Sequence, residues 1–175
     1  ANVENLAKSL ENCGPQAAAL NIPFEELMAT LATMGDNAIK GGKAGTALKN
    51  LFQRMAAPTK EAASAIKEYG LETAQAKIVS GDLKGGLLEM KKALDLNKIS
   101  SDEQQKAVKQ LAGAYGAAGL TSVLNTATDE LMTTFKAMED GLVSTNDLEN
   151  GMKKLMGTIQ GQVMRFSANV QLAFY

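Results

Sequence analysis

Histidine is absent from all 175 residues of the sequence, and tryptophan is absent as well. The lack of histidine removes the commonest general base, the commonest zinc ligand and every Ser-His or Cys-His catalytic pair. The single cysteine, Cys13, cannot form a disulfide within the chain or build a cysteine-based zinc cluster. We therefore expect no enzyme, no metal site and no cofactor, and we interpret Cys13 as a small buried or half-buried thiol.

Aromatic residues make up only 5% of the chain, whereas hydrophobic residues make up 45% and nine are methionines. A core of Ala, Leu, Met and Ile favours packed helices. A net charge of -1 provides no general attraction to nucleic acid or to an anionic membrane. No uninterrupted apolar run is long enough to span a bilayer. We expect a piece of a longer soluble protein, with no membrane partner and no small-molecule substrate for this segment.

Apolar residues recur at helical spacing along most of the chain, and strand-like alternation is hard to find. Pro23 and Gly35 bound one predicted helix, and Gly70 ends another. Ser100 with Glu103 three residues later is a capping-box pattern that predicts a helix start. The apolar stripe of that helix is predicted to consist of Val108, Leu111 and Tyr115.

Two regions break this helical pattern. Residues 71–86 contain three glycines and are predicted to be mostly loop, with any short strand expected at "AKIV", Ala76–Val79. Further on, Gly116 and Gly119 are expected to separate the helix that begins after Ser100 from a short apolar turn that ends at Asn125.

The last segment has the most regular spacing in the chain, because apolar residues recur there at steps of four and three. These candidate partner-facing residues are Leu148, Met152, Leu155, Ile159, Val163, Phe166 and Val170. A helix of roughly 30 residues would be about 45 Å long, more than a compact bundle of this size requires. We expect this helix to pack on another chain or on missing sequence, although packing entirely on the preceding helices remains an alternative.

These patterns predict an all-α fold, a multi-helix orthogonal or bundle-like domain of about seven to nine helices that ends in a long C-terminal helix. Residues 1–142 are the predicted compact domain, and residues 143–175 are the predicted long helix.

The glycine-rich stretch "NAIKGGKAGTALKN", residues 37–50, allows three interpretations. A phosphate-binding loop fails because Asn37 replaces its first glycine and Ala44 replaces its Ser or Thr. The sequence "GKAG", residues 42–45, has the form of the GxxG loop with which KH domains bind single-stranded nucleic acid. Basic residues surround it, although the strands of a KH domain are missing; they are Lys40, Lys43, Lys49, Arg54 and Lys60.

The interpretation that we favour uses the glycines for backbone geometry. Gly35 would end a helix in a left-handed conformation, Gly41 and Gly42 would form a loop, and Gly45 would allow the next helix to approach a neighbour closely. No ligand is needed.

The run from Leu20 to Leu71 resembles the core region of phage tail tape measure proteins. Four motifs of that family have counterparts in this run. They are the tripeptide "IKG", the helix start "AGTALK", an arginine later on that helix, and the start of the next helix, "PTKEA". A later glycine-rich segment with Asn125 before an acidic helix start is also similar, and the resemblance covers about residues 17–141. The matching positions include Ile39, Lys40, Gly41, Ala44, Gly45, Thr46, Ala47, Leu48, Arg54, Pro58, Thr59 and Asn125.

The resemblance implies a structural protein of a long-tailed phage or prophage, part of the tape measure that scaffolds tail-tube assembly and sets tail length. It also implies tail-tube and tail-assembly proteins as partners, a homo-oligomer in the full-length protein, a location in the tube lumen of the virion tail, and assembly in the host bacterial cytoplasm. The main alternative is a helical adaptor or binding module of a bacterial scaffold protein. KH-like nucleic-acid binding at "GKAG" is a further alternative, although nucleic acid is not the partner that we expect.

Overall fold

The structure, a computed structural model, describes residues 3–141. Eight helices and no strand occupy this range, which confirms the all-α fold class and lies within the predicted number of helices. The predicted long helix over residues 143–175 and its apolar stripe lie outside the described residues. The eight helices are α1 (Val3–Ala19), α2 (Phe24–Asp36), α3 (Gly42–Ala56), α4 (Lys60–Glu68), α5 (Glu72–Val79), α6 (Leu83–Ala93), α7 (Ser101–Asn125) and α8 (Thr128–Gly141).

Side-chain caps explain where several helices begin. Thr59 accepts a hydrogen bond from the Ala62 N–H at the start of α4, and Asp82 accepts one from the Gly85 N–H at the start of α6. At α7 the predicted capping box is present, because Ser100 Oγ accepts from the Glu103 N–H and Glu103 Oε2 accepts from the Ser100 N–H at 2.8 Å. Each cap satisfies an N–H group that has no partner within its own helix.

Helix α3 lies at the centre of the fold, because α1 packs along one side of it and α7 along another. Helix α8 packs on α2, and α5 pairs with α6. All eight helices contribute to one hydrophobic core, in which the largest fully buried side chains include Phe52, Phe135 and Met34. The core therefore depends on helices that are distant from one another in the sequence.

The prediction of a loop with a possible strand over residues 71–86 was wrong. Helix α5 includes Ala76–Val79, and α6 contains both Gly85 and Gly86. A Cβ atom on Gly86 would overlap Ile78 Cγ1 and lie 3.0 Å from the Ala74 carbonyl oxygen, so this glycine lets α6 pack directly on α5. Only Gly81, at φ +96°, forms a turn.

The end of α2 also differs from the prediction. Gly35 lies within the helix, and the residue in the left-handed conformation is Ala38, at φ +63°. The Ile39 N–H donates to the Met34 carbonyl at 2.8 Å, and the Ala38 N–H donates to the Gly35 carbonyl at 3.1 Å. This pair of bonds is a Schellman motif, which ends the helix without a glycine at its left-handed position.

Helix α7 is interrupted at Gly113, where the chain reverses direction; the prediction that Gly116 and Gly119 would end this helix was wrong. Gly113 has φ +73° and ψ 168°, and helical backbone lies on both sides of it. Gln104 Nε2 donates to Asn125 Oδ1 at 3.1 Å, so the two ends of α7 lie side by side. A straight helix would separate these residues by about 30 Å at about 1.5 Å per residue. We call residues 101–112 the N-terminal half of α7 and residues 114–125 its C-terminal half.

The reversal explains why the apolar stripe of α7 was mispredicted. Val108 and Leu111 are buried in the N-terminal half, but Tyr115 lies two residues beyond Gly113 and is 88% exposed. A stripe extrapolated at helical spacing is valid only while the helix continues.

Candidate functional site

The residues that resemble the tape measure motifs occupy one region around α3. Ala44, Gly45, Ala47 and Leu48 are buried on the first turns of this helix. Arg54 lies in the last turn of the helix. Thr46 is half-buried on the same turns of α3, and the remaining motif residues lie in the connections that flank α3 or, in the case of Asn125, at the end of α7. The structure thus brings most of the motif to the contacts that α3 makes with α1 and α7.

The start of α3 is fastened to α1. Ser9 Oγ donates to the Gly41 carbonyl at 2.8 Å, and Asn12 Nδ2 donates to the Gly42 carbonyl at 3.2 Å. A Cβ atom on Gly45 would overlap the Ser9 carbonyl oxygen and lie 2.8 Å from the Asn12 Cβ atom. As predicted, Gly45 is the point at which α3 closely approaches a neighbouring helix.

This contact bears on the nucleic-acid interpretation of "GKAG". Gly42–Gly45 form the first turn of α3, and α1 covers the glycine face of that turn. A KH-type clamp needs this backbone open to the ligand and a β-sheet beside it. Residues 3–141 contain no strand, and the glycines serve helix packing.

The far end of α3 holds the reversal of α7. Arg54 Nη1 donates to the Gln110 carbonyl at 2.7 Å, and Asn50 Nδ2 donates to the Ala112 carbonyl at 3.1 Å. These two carbonyls lie just before Gly113, where the helical hydrogen-bond ladder breaks. Arg54 was singled out by the sequence, whereas Asn50 was missed, although its position four residues earlier places both side chains on one face of α3.

Between these two ends, small residues let α3 and the C-terminal half of α7 come into direct contact. A Cβ atom on Gly119 would lie 2.6 Å from Ala47 Cβ, and one on Gly116 would lie 3.1 Å from Ala47 Cα. The expected breakers Gly116 and Gly119 are therefore packing positions, and Ala47, one of the motif residues, is their partner.

The last motif residue, Asn125, helps to join the ends of α7 to α6. Its Oδ1 atom accepts from Gln104, and the same Gln104 Nε2 donates to the Leu94 carbonyl at 2.9 Å. Lys91 Nζ donates to the Leu124 carbonyl at 2.6 Å. Burial lowers the pKa of Lys91. A cation at this position is favourable because helix carbonyls at a C-terminus carry partial negative charge.

The basic residues around "GKAG" do not form one cluster with a single role. Arg54 is bound to a carbonyl of α7, whereas Lys40, Lys43 and Lys60 are exposed and Lys49 is half-buried. Within the described range, none of these lysines lies within 4 Å of a carboxylate oxygen. The lysines form ordinary solvated surface around α3.

An open groove of about 460 Å³ lies beside the joint between α2 and α3. Asn37 and Ile39 line one side, and both halves of α7 line the other, with Gln105, Lys109 and Ser122 among the residues. The groove is therefore a consequence of the reversal at Gly113, which places these residues of the two halves side by side.

Among the described carboxylates, the lowered pKa values have local causes. The backbone hydrogen bond from Ser100 lowers the pKa of Glu103, and the hydrogen bond from Lys77 lowers that of Glu89. Both causes are local caps or ion pairs. Over residues 3–141, no three acidic or cysteine side chains form a group that could hold a metal ion. None of the helices described is long and apolar enough to cross a bilayer.

Comparison with known proteins connects these packing positions to a family. The probable tape measure protein of Escherichia phage P2 is 27% identical over 161 residues, which is 90% of this chain and 19% of that protein. The tape measure protein of Pneumococcus phage Dp-1 is 26% identical over 156 residues, which is 89% of this chain and 13% of that protein. The chain thus spans less than a fifth of the length of either relative.

No solved structure matches the chain. The family described as phage-related minor tail protein matches residues 1–113, which include α1 to α6, the joint at "GKAG", both α3 residues that hold α7, and Gly113 itself. This match covers more than half of the 175 residues. The chain belongs to the phage-related minor tail protein family.

Proposed function

We propose that this chain is a structural, non-catalytic segment of a phage tail tape measure protein. In this role the full-length protein scaffolds the polymerisation of tail-tube subunits and sets the length of the tail. The observation that supports the proposal most directly is the family match over residues 1–113, together with two tape measure proteins that are similar over about nine tenths of the chain. The contacts of the motif residues are consistent with it, because they join helices to one another.

The proposed role has consequences for partners and location. Tail-tube and tail-assembly proteins would be the partners, the full-length protein would be a homo-oligomer, and it would occupy the tube lumen after assembly in the host cytoplasm. Helices suit a length standard, because a helix extends by about 1.5 Å per residue and its length scales with the number of residues. This chain spans less than a fifth of its relatives, and its eight described helices pack on one core, so it would be a globular node or end segment of that standard and would not itself set the tail length.

The test is to change the length of the parent protein by whole helical segments in a phage that encodes it, and to measure the tails in electron micrographs. We expect shorter tails after deletion of a segment and longer tails after duplication, in proportion to the number of helical residues changed. A parent protein with Tyr115→Ala, which alters an exposed side chain and leaves the length unchanged, is the control. Normal tail length after the deletions would contradict the proposed function.

A further inference from the structure

The reversal of α7 depends on one residue. The backbone is helical up to Ala112 and again from Ala114, so only Gly113 departs from helical geometry. Its φ of +73° and ψ of 168° lie in a region that is essentially restricted to glycine. A change at this one residue would turn α7 into a continuous 25-residue helix.

Two backbone carbonyls lose their helical partners at the reversal, and both would have partners in a straight helix too. The Gln110 and Ala112 carbonyls are now bound by Arg54 and Asn50 of α3. In a continuous helix they would accept from the N–H groups of Ala114 and Gly116 instead. Straightening α7 would therefore leave neither of these carbonyls without a partner.

We call Gly113 the hinge, and the part of the chain that follows it packs on helices that precede it. We call residues 114–141, the C-terminal half of α7 together with α8, the arm. Gly116 and Gly119 of the arm contact Ala47 of α3, α8 packs on α2, and Lys91 of α6 binds the Leu124 carbonyl. Leu131 and Phe135 of α8 are almost completely buried. An arm that swung away alone would expose this apolar surface, which is unfavourable.

A second copy of the same chain offers an identical set of surfaces for the arm. We propose that two copies of this chain exchange their arms, with α7 straightened at Gly113 in each copy. The partner is a second copy because every surface that the arm covers is formed by residues of this same sequence. The connection between the two halves of α7 is a single glycine, which can adopt helical backbone geometry as well, and the exchanged product would have closed two-fold symmetry. This proposal does not rest on the proposed function.

The first experiment compares Gly113→Ala with Gly70→Ala in the 175-residue chain. Gly70 also has a positive φ, +64°, and nothing lies within 4 Å of a Cβ atom built there, so its substitution strains the backbone outside α7. We expect Gly113→Ala to lower the dimer dissociation constant by at least about tenfold, measured by gel filtration with light scattering, because alanine disfavours the reversed state. Gly70→Ala should keep the wild-type dissociation constant.

The second experiment distinguishes exchanged arms from an ordinary dimer. Gln105 and Ser122 line the same groove from opposite halves of α7, so Gln105→Cys with Ser122→Cys can be joined by a short bismaleimide. Burial raises the pKa of Cys13 to about 12, so this thiol stays unmodified in the folded protein. We expect crosslinks within one chain in monomers and between two chains in dimers, which denaturing gels separate.

Two results would overturn the proposal: a folded Gly113→Ala variant that is as monomeric as Gly70→Ala, or dimers whose crosslinks stay within each chain. Should Gly113→Ala fail to fold, the cysteine pair in the wild-type background decides. That protein is refolded from denaturant over a range of concentrations up to the millimolar. Interchain crosslinks in compact dimers at high concentration would support arm exchange, and intrachain crosslinks at every concentration would contradict it.

Discussion

Glycine has three different roles in this protein, and the surroundings of each Cα atom determine which one applies. Gly35 lies inside α2 with nothing within 4 Å of a potential Cβ atom. Gly45 is in contact with the backbone of α1, and Gly113 has a backbone conformation that other residues avoid. The same substitution, glycine to alanine, should therefore have opposite effects on stability at different positions.

Gly45→Ala should lower the free energy of unfolding by about 1–3 kcal/mol, because the new methyl group must displace the backbone of α1. Gly35→Ala should raise it by about 0.5–1 kcal/mol, because alanine is the better helix former and the space is open. Urea unfolding followed by circular dichroism measures both values. Equal effects of the two substitutions would show that α1 does not pack against Gly45.

At the scale of the element, the capping box of α7 offers a defined test. Ser100→Ala removes the acceptor for the Glu103 N–H and should lower the free energy of unfolding by about 1 kcal/mol at pH 7. Ser101→Ala, one residue further on and exposed, is the matched control and should have little effect. Chemical unfolding of the three proteins gives the comparison.

The effect of the Ser100 substitution should depend on pH. Hydrogen bonds from the backbone N–H and the side chain of Ser100 lower the pKa of Glu103 below the usual value for glutamate, so the ionised carboxylate stabilises the fold above that usual value. This stabilisation is lost as the pH falls through the lowered pKa. The difference between wild type and Ser100→Ala should therefore shrink in acid, and a difference that grew below pH 4 would contradict the assignment.

Sequence patterns predicted helices well where caps and apolar stripes agreed. Thr59 and Ser100 mark the starts of α4 and α7, and Gly70 ends α4 as expected. Patterns failed where a glycine was in contact with another helix. Gly86 and Gly119 break no helix, because each is a site of close packing that only the tertiary structure reveals.

The candidate site was predicted only in part, because its contacts also depend on the tertiary structure. Motif resemblance singled out Arg54 and Asn125, but it did not predict that Arg54 binds the Gln110 carbonyl or that Asn125 binds Gln104. Ser9, Asn12 and Gln104 were missed because a polar residue on a helix has no distinctive spacing when its partner is a distant backbone carbonyl. The reversal at Gly113 was missed because three nearby glycines look alike in sequence.

At the scale of the whole molecule, one continuous core connects all eight helices described. We propose that residues 1–142 form the compact domain and that residues 143–175 form a separate long helix. A chain that ends at residue 142 should then keep the thermal midpoint of the 175-residue chain within about 2 °C, which scanning calorimetry measures. A large fall in the midpoint would show that the last segment packs on the domain.

The distribution of charge around the hinge has a practical consequence for peptide mapping. Trypsin cleaves after lysine and arginine, and neither residue occurs between Lys109 and Lys136. The peptide Gln110–Lys136 therefore contains Gly113, the whole C-terminal half of α7 and the first part of α8 in a single fragment. A substitution at Gly113 or anywhere in residues 114–136 changes the mass of this one fragment, so mass spectrometry of a single tryptic peptide verifies such variants.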